Sequence, residues 1–141
     1  MGLDMYLTAT AYLGGEHGVE IEGLDAEGMD ISGVRYDCGY WRKANAIHGW
    51  FVENVQGGED KCRPHSVDRE DLEKLRALCR DALDRRSAEN LPPTAGCFFG
   101  SQEVDQYYWE DLELTVTICD RALSLKDSRG LFWAFEYLSS W

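Results

Sequence analysis

The chemistry-bearing side chains are most closely spaced in the run Tyr40-Trp41-Arg42-Lys43-Ala44-Asn45-Ala46-Ile47-His48-Gly49-Trp50-Phe51-Val52. Asn45 and His48 stand three apart, Arg42 and Lys43 precede them, and Trp41 and Trp50 flank them. Aromatic plates, cations and amide or imidazole donors are what a nucleotide-like ligand needs, for stacking, charge neutralisation and hydrogen bonds to its edges. The acids Glu103, Asp105, Glu110 and Asp111, with Tyr107, at the start of a later helical pattern, would add acceptors. The ligand-binding set on this reading is Trp41, Arg42, Lys43, Asn45, His48, Trp50, Asp105 and Tyr107. The plainer account is a core helix whose Asn45 and His48 satisfy neighbouring backbone groups. The sequence favours that account, because buried polar networks are more often structural than functional.

Other chemistries leave weaker traces. His48 has the side chain of a general base, with a carboxylate to orient it. No nucleophile accompanies it: no serine sits in an elbow motif and no cysteine in an activating context. The chain is therefore expected to be non-enzymatic, with no catalytic residues. Cys62-x-x-His65, with Cys38 or Cys97 as further ligands, is only one half of a zinc site, and a loop cysteine near a histidine explains it better. No metal and no cofactor are expected. Gly14-Gly15 and Gly57-Gly58 lack the lysine and hydroxyl of a phosphate loop and read as turns.

The net charge is −12, with acid concentrated at the two ends of the chain around a near-neutral middle. Glu20, Glu22, Asp25, Glu27 and Asp30 form an early group; Glu103, Asp105, Glu110, Asp111 and Glu113 form a late one. Such a field repels nucleic acid and disfavours direct binding of it. It attracts a basic protein surface, including one that normally holds nucleic acid. Should the two groups converge, they would make one negative, partner-binding face. Solubility alone is the simpler explanation of the charge.

A chain of 141 residues that is 44% hydrophobic and 12% aromatic is expected to fold as one domain, residues 1–141, with a real core. No apolar run approaches the length of a membrane span, and Met1-Gly2-Leu3-Asp4-Met5 lacks the basic and apolar regions of a secretion signal. Gly2 is not read as a lipidation site, since Tyr6 stands where Ser or Thr is wanted. The five cysteines make an odd count, and Cys79 and Cys119 fall on helix stripes as small hydrophobes. That suits a reducing cytoplasm.

Positioning these residues requires a set of elements. Met5, Leu7, Ala9, Ala11 and Leu13 alternate with polar and aromatic residues as in a half-buried strand. A weaker strand is expected at Val19–Glu22, an acidic loop from Gly23 to Gly28, and a third strand over Met29–Tyr36 with Gly33 as a bulge. Trp41, Ala44, His48, Phe51, Val52 and Val55 recur at spacings of three and four, predicting a helix from Tyr40 to about Val55 that Gly57-Gly58 ends. Glu59 to His65 reads as a polar loop. Asp68 caps a second helix with the stripe Leu72, Leu75, Cys79, Ala82 and Leu83. Asn90 to Ser101 is a connector, in which Cys97-Phe98-Phe99 reads as a short buried strand. A third helix runs from near Asp105 to about Leu125, with Tyr108, Leu112, Val116, Cys119 and Leu123 inward. Leu131 to Leu138 reads as a central strand. The order predicts an α+β fold: an antiparallel sheet of three to five strands, about three helices on one face, and the last strand returning to pair with an early one.

Four stretches carry a resemblance: Gly2 to Leu7, Tyr40 to Val52, Leu91-Pro92-Pro93 with Phe98 to Ser101, and Tyr107 to Leu112. Together they resemble a family of small proteins encoded by bacteriophages and prophages. The resemblance implies a viral accessory protein acting in the cytoplasm of a host bacterium, and it brings no activity and no catalytic residue. The leading expectation is a phage protein that binds and disables a host defence component, such as a CRISPR effector complex. The acidic groups would make the contact, with aromatics near Trp109 or Trp141 as anchors. The alternative is a small-molecule binder that sequesters a nucleotide signal. A host-modifying enzyme using His48 stands third.

Overall fold

The computed structural model of the chain describes residues 2–13, 21–127 and 131–141. Its elements are β1 (Asp4–Tyr12), β2 (Gly33–Arg42), α1 (Asn45–Asn54), β3 (His65–Val67), α2 (Arg69–Arg85), α3 (Gln106–Ser124) and β4 (Trp133–Ser140). The strands form one antiparallel sheet in the order β2-β1-β4-β3. The fold is α+β, as its sequence pattern predicts, and the last strand pairs with the first. No helix among the described residues is long and apolar enough to cross a membrane.

Register explains which face is buried. Met5 lies opposite both Trp41 and Ser139, Leu7 opposite Gly39 and Tyr137, and Ala9 opposite Phe135. Directly paired residues point to the same side of a sheet, so these rows make one core face. Tyr6 and Tyr40, paired on the other face with ring centroids 5.3 Å apart, are exposed. α3 crosses the core face: the Trp41 indole donates to Thr115 Oγ1 at 2.9 Å, deep in the interior. α2 runs antiparallel to α3, with Arg69 donating to the carbonyls of Leu123 and Leu125 at one end. At the other end Arg86 stacks over Trp109 at 4.9 Å. Asp68 and Asp71 box the start of α2, and Leu72, Leu75, Cys79 and Ala82 are its buried stripe.

Three expected boundaries are corrected. The strand expected over Met29–Tyr36 runs instead from Gly33 to Arg42, so Trp41 belongs to β2 and not to a helix. Trp41 fits both periods, and nine residues of ladder with β1 decide the matter. The break falls at Lys43, which adopts φ 55, and α1 begins only at Asn45. The polar loop ending at His65 passes into the three-residue strand β3, too short to show alternation. Cys97 to Phe99 is a turn and not a strand: Phe98 sits at φ 63 with its ring exposed, while Phe99 points inward. Ile21 and Glu22 are not in a strand, and Val19, Glu20 and the turn expected at Gly14-Gly15 lie outside the described residues.

The closest helix–sheet contact depends on a missing side chain. A Cβ built at Gly39 would lie 2.4 Å from Ile118 Cδ1 and Cγ1. Gly39→Ala is therefore expected to destabilise the chain by about 1–3 kcal/mol through overpacking, read as a lower urea midpoint. Ile118→Ala in the same chain should recover part of that loss. An unchanged midpoint for Gly39→Ala would show that the sheet and α3 are not in the contact described.

Candidate functional site

A cleft of about 300 Å³ opens where three segments meet. Residues 42–47 lead from β2 into α1, Pro93 and residues 100–103 belong to the connector, and residues 105–112 begin α3. No residue of the stretch from Gly2 to Leu7 lines the cleft, although Gly2 lies beside Lys43. Gly2 and Gly100 both border Lys43: a Cβ on either would come within 3.2 Å of its side chain. Gly100, at φ 88, is bound to glycine twice over, by its backbone and by this contact. Lys43 itself is held in the left-handed region by a 2.7 Å bond from its N–H to the Leu3 carbonyl. Non-glycine residues rarely occupy that region except where the surroundings impose it.

One wall is electropositive. Arg42 and Lys43 stand on it, both exposed, and Arg42 meets Asp4 at 3.4 Å across the surface. Ala44 occupies the N-cap of α1 and no side chain caps the helix. The first-turn amides of Ala46 and Ile47, which line the cleft, thus add the positive end of the helix dipole.

The opposite wall is acidic. Asp105 caps α3, its Oδ1 accepting from the N–H groups of Tyr107 and Tyr108 at 3.0 and 3.2 Å. Asp111 lies one turn on, half-buried, with no hydrogen-bond or ion-pair partner among the described residues. Burial first, then the neighbouring charges of Glu110 and Asp105, push its carboxyl up to about 7. Tyr108 donates to the Leu91 carbonyl at 2.7 Å, and burial pushes its phenol up to about 12. Tyr107 stands exposed at the mouth.

The structure sorts the sequence-predicted ligand set in two. Arg42, Lys43, Asp105 and Tyr107 line the cleft as expected. Asn45 borders it but its amide is already committed: Nδ2 donates to the carbonyls of Phe99 and Ser101 at 3.1 and 2.8 Å, and Oδ1 accepts from Thr94 N–H at 3.0 Å. Trp41 is core, and Trp50 lines a separate shallow hollow with Asn90 to Pro92 and Thr94. His48 is fully buried, its Nδ1 2.6 Å from the Tyr137 hydroxyl and its Nε2 2.9 Å from Asp60 Oδ2. Asp60 Oδ1 in turn accepts from the Trp141 indole. Burial holds the Tyr137 phenol protonated, so it donates to Nδ1 while the Nε2–H donates to Asp60. With both ring nitrogens engaged and no exposed surface, His48 reaches no cleft. The extrapolation of a helical period through Trp41 misplaced these three.

Asp111, which the sequence reading offered both as an acceptor from the start of the third helix and as part of the acidic face, lines the cleft. Its signal was its place beside the stripe, since residues 108, 111, 112 and 115 share one side of a helix. Of the early acids, Glu22, Asp25, Glu27 and Asp30 lie on an exposed loop that joins the sheet at Gly33, and Glu20 lies outside the described residues. Glu103, Asp105, Glu110, Asp111 and Glu113 gather near the Arg42 end of β2. Ten strand residues, roughly 30 Å, separate the two points at which these groups join the sheet. Of the expected aromatic anchors, Trp109 is half-buried beneath Arg86 and Trp141 is exposed. Among the described residues no three His, Cys, Asp or Glu side chains are grouped to hold a metal, and His65 of the Cys62-x-x-His65 pair bonds the Arg63 carbonyl.

Compared with protein-family models, curated proteins and solved structures, the chain matches none.

The Asp111 environment sets a pH dependence. Its folded carboxyl titrates near 7 against an ordinary 3.8, so between those values the folded state keeps a proton that the unfolded state has released. Stability contributed by this group therefore falls as pH rises through that window. Urea midpoints from about pH 5 to about pH 8 should decline less steeply in Asp111→Asn than in the parent chain. Equal slopes in the two proteins would show that Asp111 is an ordinary solvated carboxylate.

Proposed function

We propose that the chain is a non-enzymatic binding protein whose cleft captures a small nucleotide-like molecule. In the phage setting that its sequence resembles, it would sequester a nucleotide signal on which host defence depends. The observation that carries this reading is the unpartnered, half-buried Asp111 in a cleft whose facing wall holds Arg42, Lys43 and the uncapped start of α1. A carboxylate left without a partner at such a place lacks a hydrogen-bond donor, and a perturbed ionisable group in a cleft is a candidate binding residue. The cationic wall supplies the complement to a phosphate. A fixed pair of oppositely charged walls suits a ligand with an anion at one end and donors at the other.

Thermal denaturation with a panel of nucleoside mono-, cyclic mono- and triphosphates tests the reading. A ligand present at 100 times its dissociation constant stabilises by about 2.7 kcal/mol, a shift of several degrees for a chain of this size. Lys43→Asn should abolish it while preserving the fold, since asparagine tolerates the left-handed backbone there. Unchanged melting with every nucleotide rules the reading out.

A second reading, capture of a basic surface on a host nucleoprotein complex, is favoured by one observation. The acidic loop carrying Glu22, Asp25, Glu27 and Asp30 also exposes Leu24 and Met29, while Tyr12 and Tyr36 are exposed at the same end of the β1–β2 ladder. Apolar anchors ringed by acid fit a basic protein partner. Retention of such a complex at low salt, lost in a Leu24→Ser/Met29→Ser chain, is the expected result; an empty pull-down at low salt removes the case for it.

A further inference from the structure

We propose that the acidic wall of the cleft reads the Watson–Crick edge of a guanine base, so that the preferred occupant is a guanosine mononucleotide. The inference rests on the nucleotide reading above and names its base. Above about pH 7, where Asp111 is ionised, the wall contributed by α3 and Glu103 is dominated by carboxylate acceptors, with the Tyr107 hydroxyl out at the mouth. Asp111 is unpartnered, Asp105 keeps Oδ2 after its Oδ1 has capped the helix, and Glu103 stands beside them. The one neighbouring buried hydroxyl, on Tyr108, is spent on the Leu91 carbonyl.

Base edges differ in what they present to such a wall. Guanine shows two adjacent donors, N1–H and the N2 amino group, which a single carboxylate accepts side by side. Adenine and cytosine each place a ring acceptor next to their amino donor, and uracil flanks its one donor with two carbonyls. Those acceptors would face carboxylate oxygen, and a misplaced acceptor beside a desolvated charge costs affinity. Only guanine satisfies the wall without repulsion. Two donors on one carboxylate also form the strongest class of neutral-to-charged pairing available to a base.

Size and shape agree. About 300 Å³ is at the small end of ligand clefts, suited to one nucleotide and too small for two. Tyr107, exposed at the mouth one turn before Asp111, offers a face for the base to stack on. The phosphate then falls toward Lys43, Arg42 and the amides of Ala46 and Ile47.

Calorimetric titration of the full chain with GMP, AMP, CMP and UMP tests the inference. GMP is expected to bind at least about tenfold more tightly than the other three, as one added pair of charge-assisted bonds implies. In Asp111→Asn the side chain presents one donor and one acceptor, the pairing that suits adenine. The order should then turn toward AMP, a gain that an unfolded variant cannot imitate. Equal affinity for all four nucleotides in the parent chain overturns the guanine assignment and leaves the nucleotide cleft standing. A parent chain that binds none of them overturns both.

Discussion

The cleft exists because one buried amide ties a long irregular connector to the start of a helix. Asn45 uses both of its N–H donors on the carbonyls of Phe99 and Ser101 and its oxygen on the Thr94 N–H. Each such bond contributes on the order of 1 kcal/mol net, but removing the side chain would strand several polar groups at once in a dry place, at a larger cost. Around this staple the chain is tightly constrained. Lys43 is turned into the left-handed region, the two small residues Gly2 and Gly100 make room for it, and Gly49 leaves space for Thr94 on the next turn of α1. The connector has no ladder of its own, so its shape is borrowed from Asn45. Two further bonds assist it, from the Tyr108 hydroxyl to the Leu91 carbonyl and from the Leu3 N–H to the Phe98 carbonyl.

The second polar device works from the other side of α1. His48 bridges Tyr137 on β4 to Asp60 in the loop after the helix, and the Trp141 indole closes the chain of bonds. Phe51 stacks on Tyr137 at 3.9 Å, and Phe99 meets the edge of His48. The helix is thus fixed to the sheet by imidazole and to the connector by amide. Both residues have the chemistry of a binding site, and both are consumed in holding the fold together. The buried part of this network, His48 with Tyr137, is satisfied, and it opens to the surface through Asp60 and Trp141.

Much of the architecture was legible in the pattern of residues. β1 alternates cleanly, α2 announces itself with Asp68 and an apolar stripe, and α3 and β4 follow their periods. What failed was the stretch from Tyr36 to Ala44. Tyr36, Cys38 and Tyr40 satisfy a strand, Trp41, Ala44 and His48 satisfy a helix, and nothing local says where one ends. The deciding facts are nonlocal: pairing with β1 and the Lys43 turn. The alternative pocket reading therefore placed Trp41 and His48 wrongly, while the favoured reading of Asn45 and His48 as satisfied core groups agrees with their burial and their bonds. Arg42, Lys43, Asp105 and Tyr107, grouped by chemical type in the sequence, do line one cleft, although the connector that unites them shows no periodicity. Asp111 was visible as an acid but not as a buried one, because its burial comes from Arg42 to Ile47 folding over it and not from α3 alone.

A chain of net charge −12 is an unpromising host for an anion, and the local arrangement answers the objection. Screening at physiological salt confines the influence of surface charge to within about 8 Å, so distant carboxylates on the 22–30 loop weigh little at the cleft. What an entering molecule meets is Lys43, Arg42 and the helix dipole on one side, and Asp111 with Asp105 on the other. Inorganic phosphate would gain from the first wall and lose at the second. A simple cation would do the reverse. Only a molecule with both functions, held apart by the width of the cleft, gains from both walls at once. On the proposed reading, the cleft would select for a charge distribution, with neither sign alone sufficient. That property follows from Asn45 fixing the two walls at a set separation.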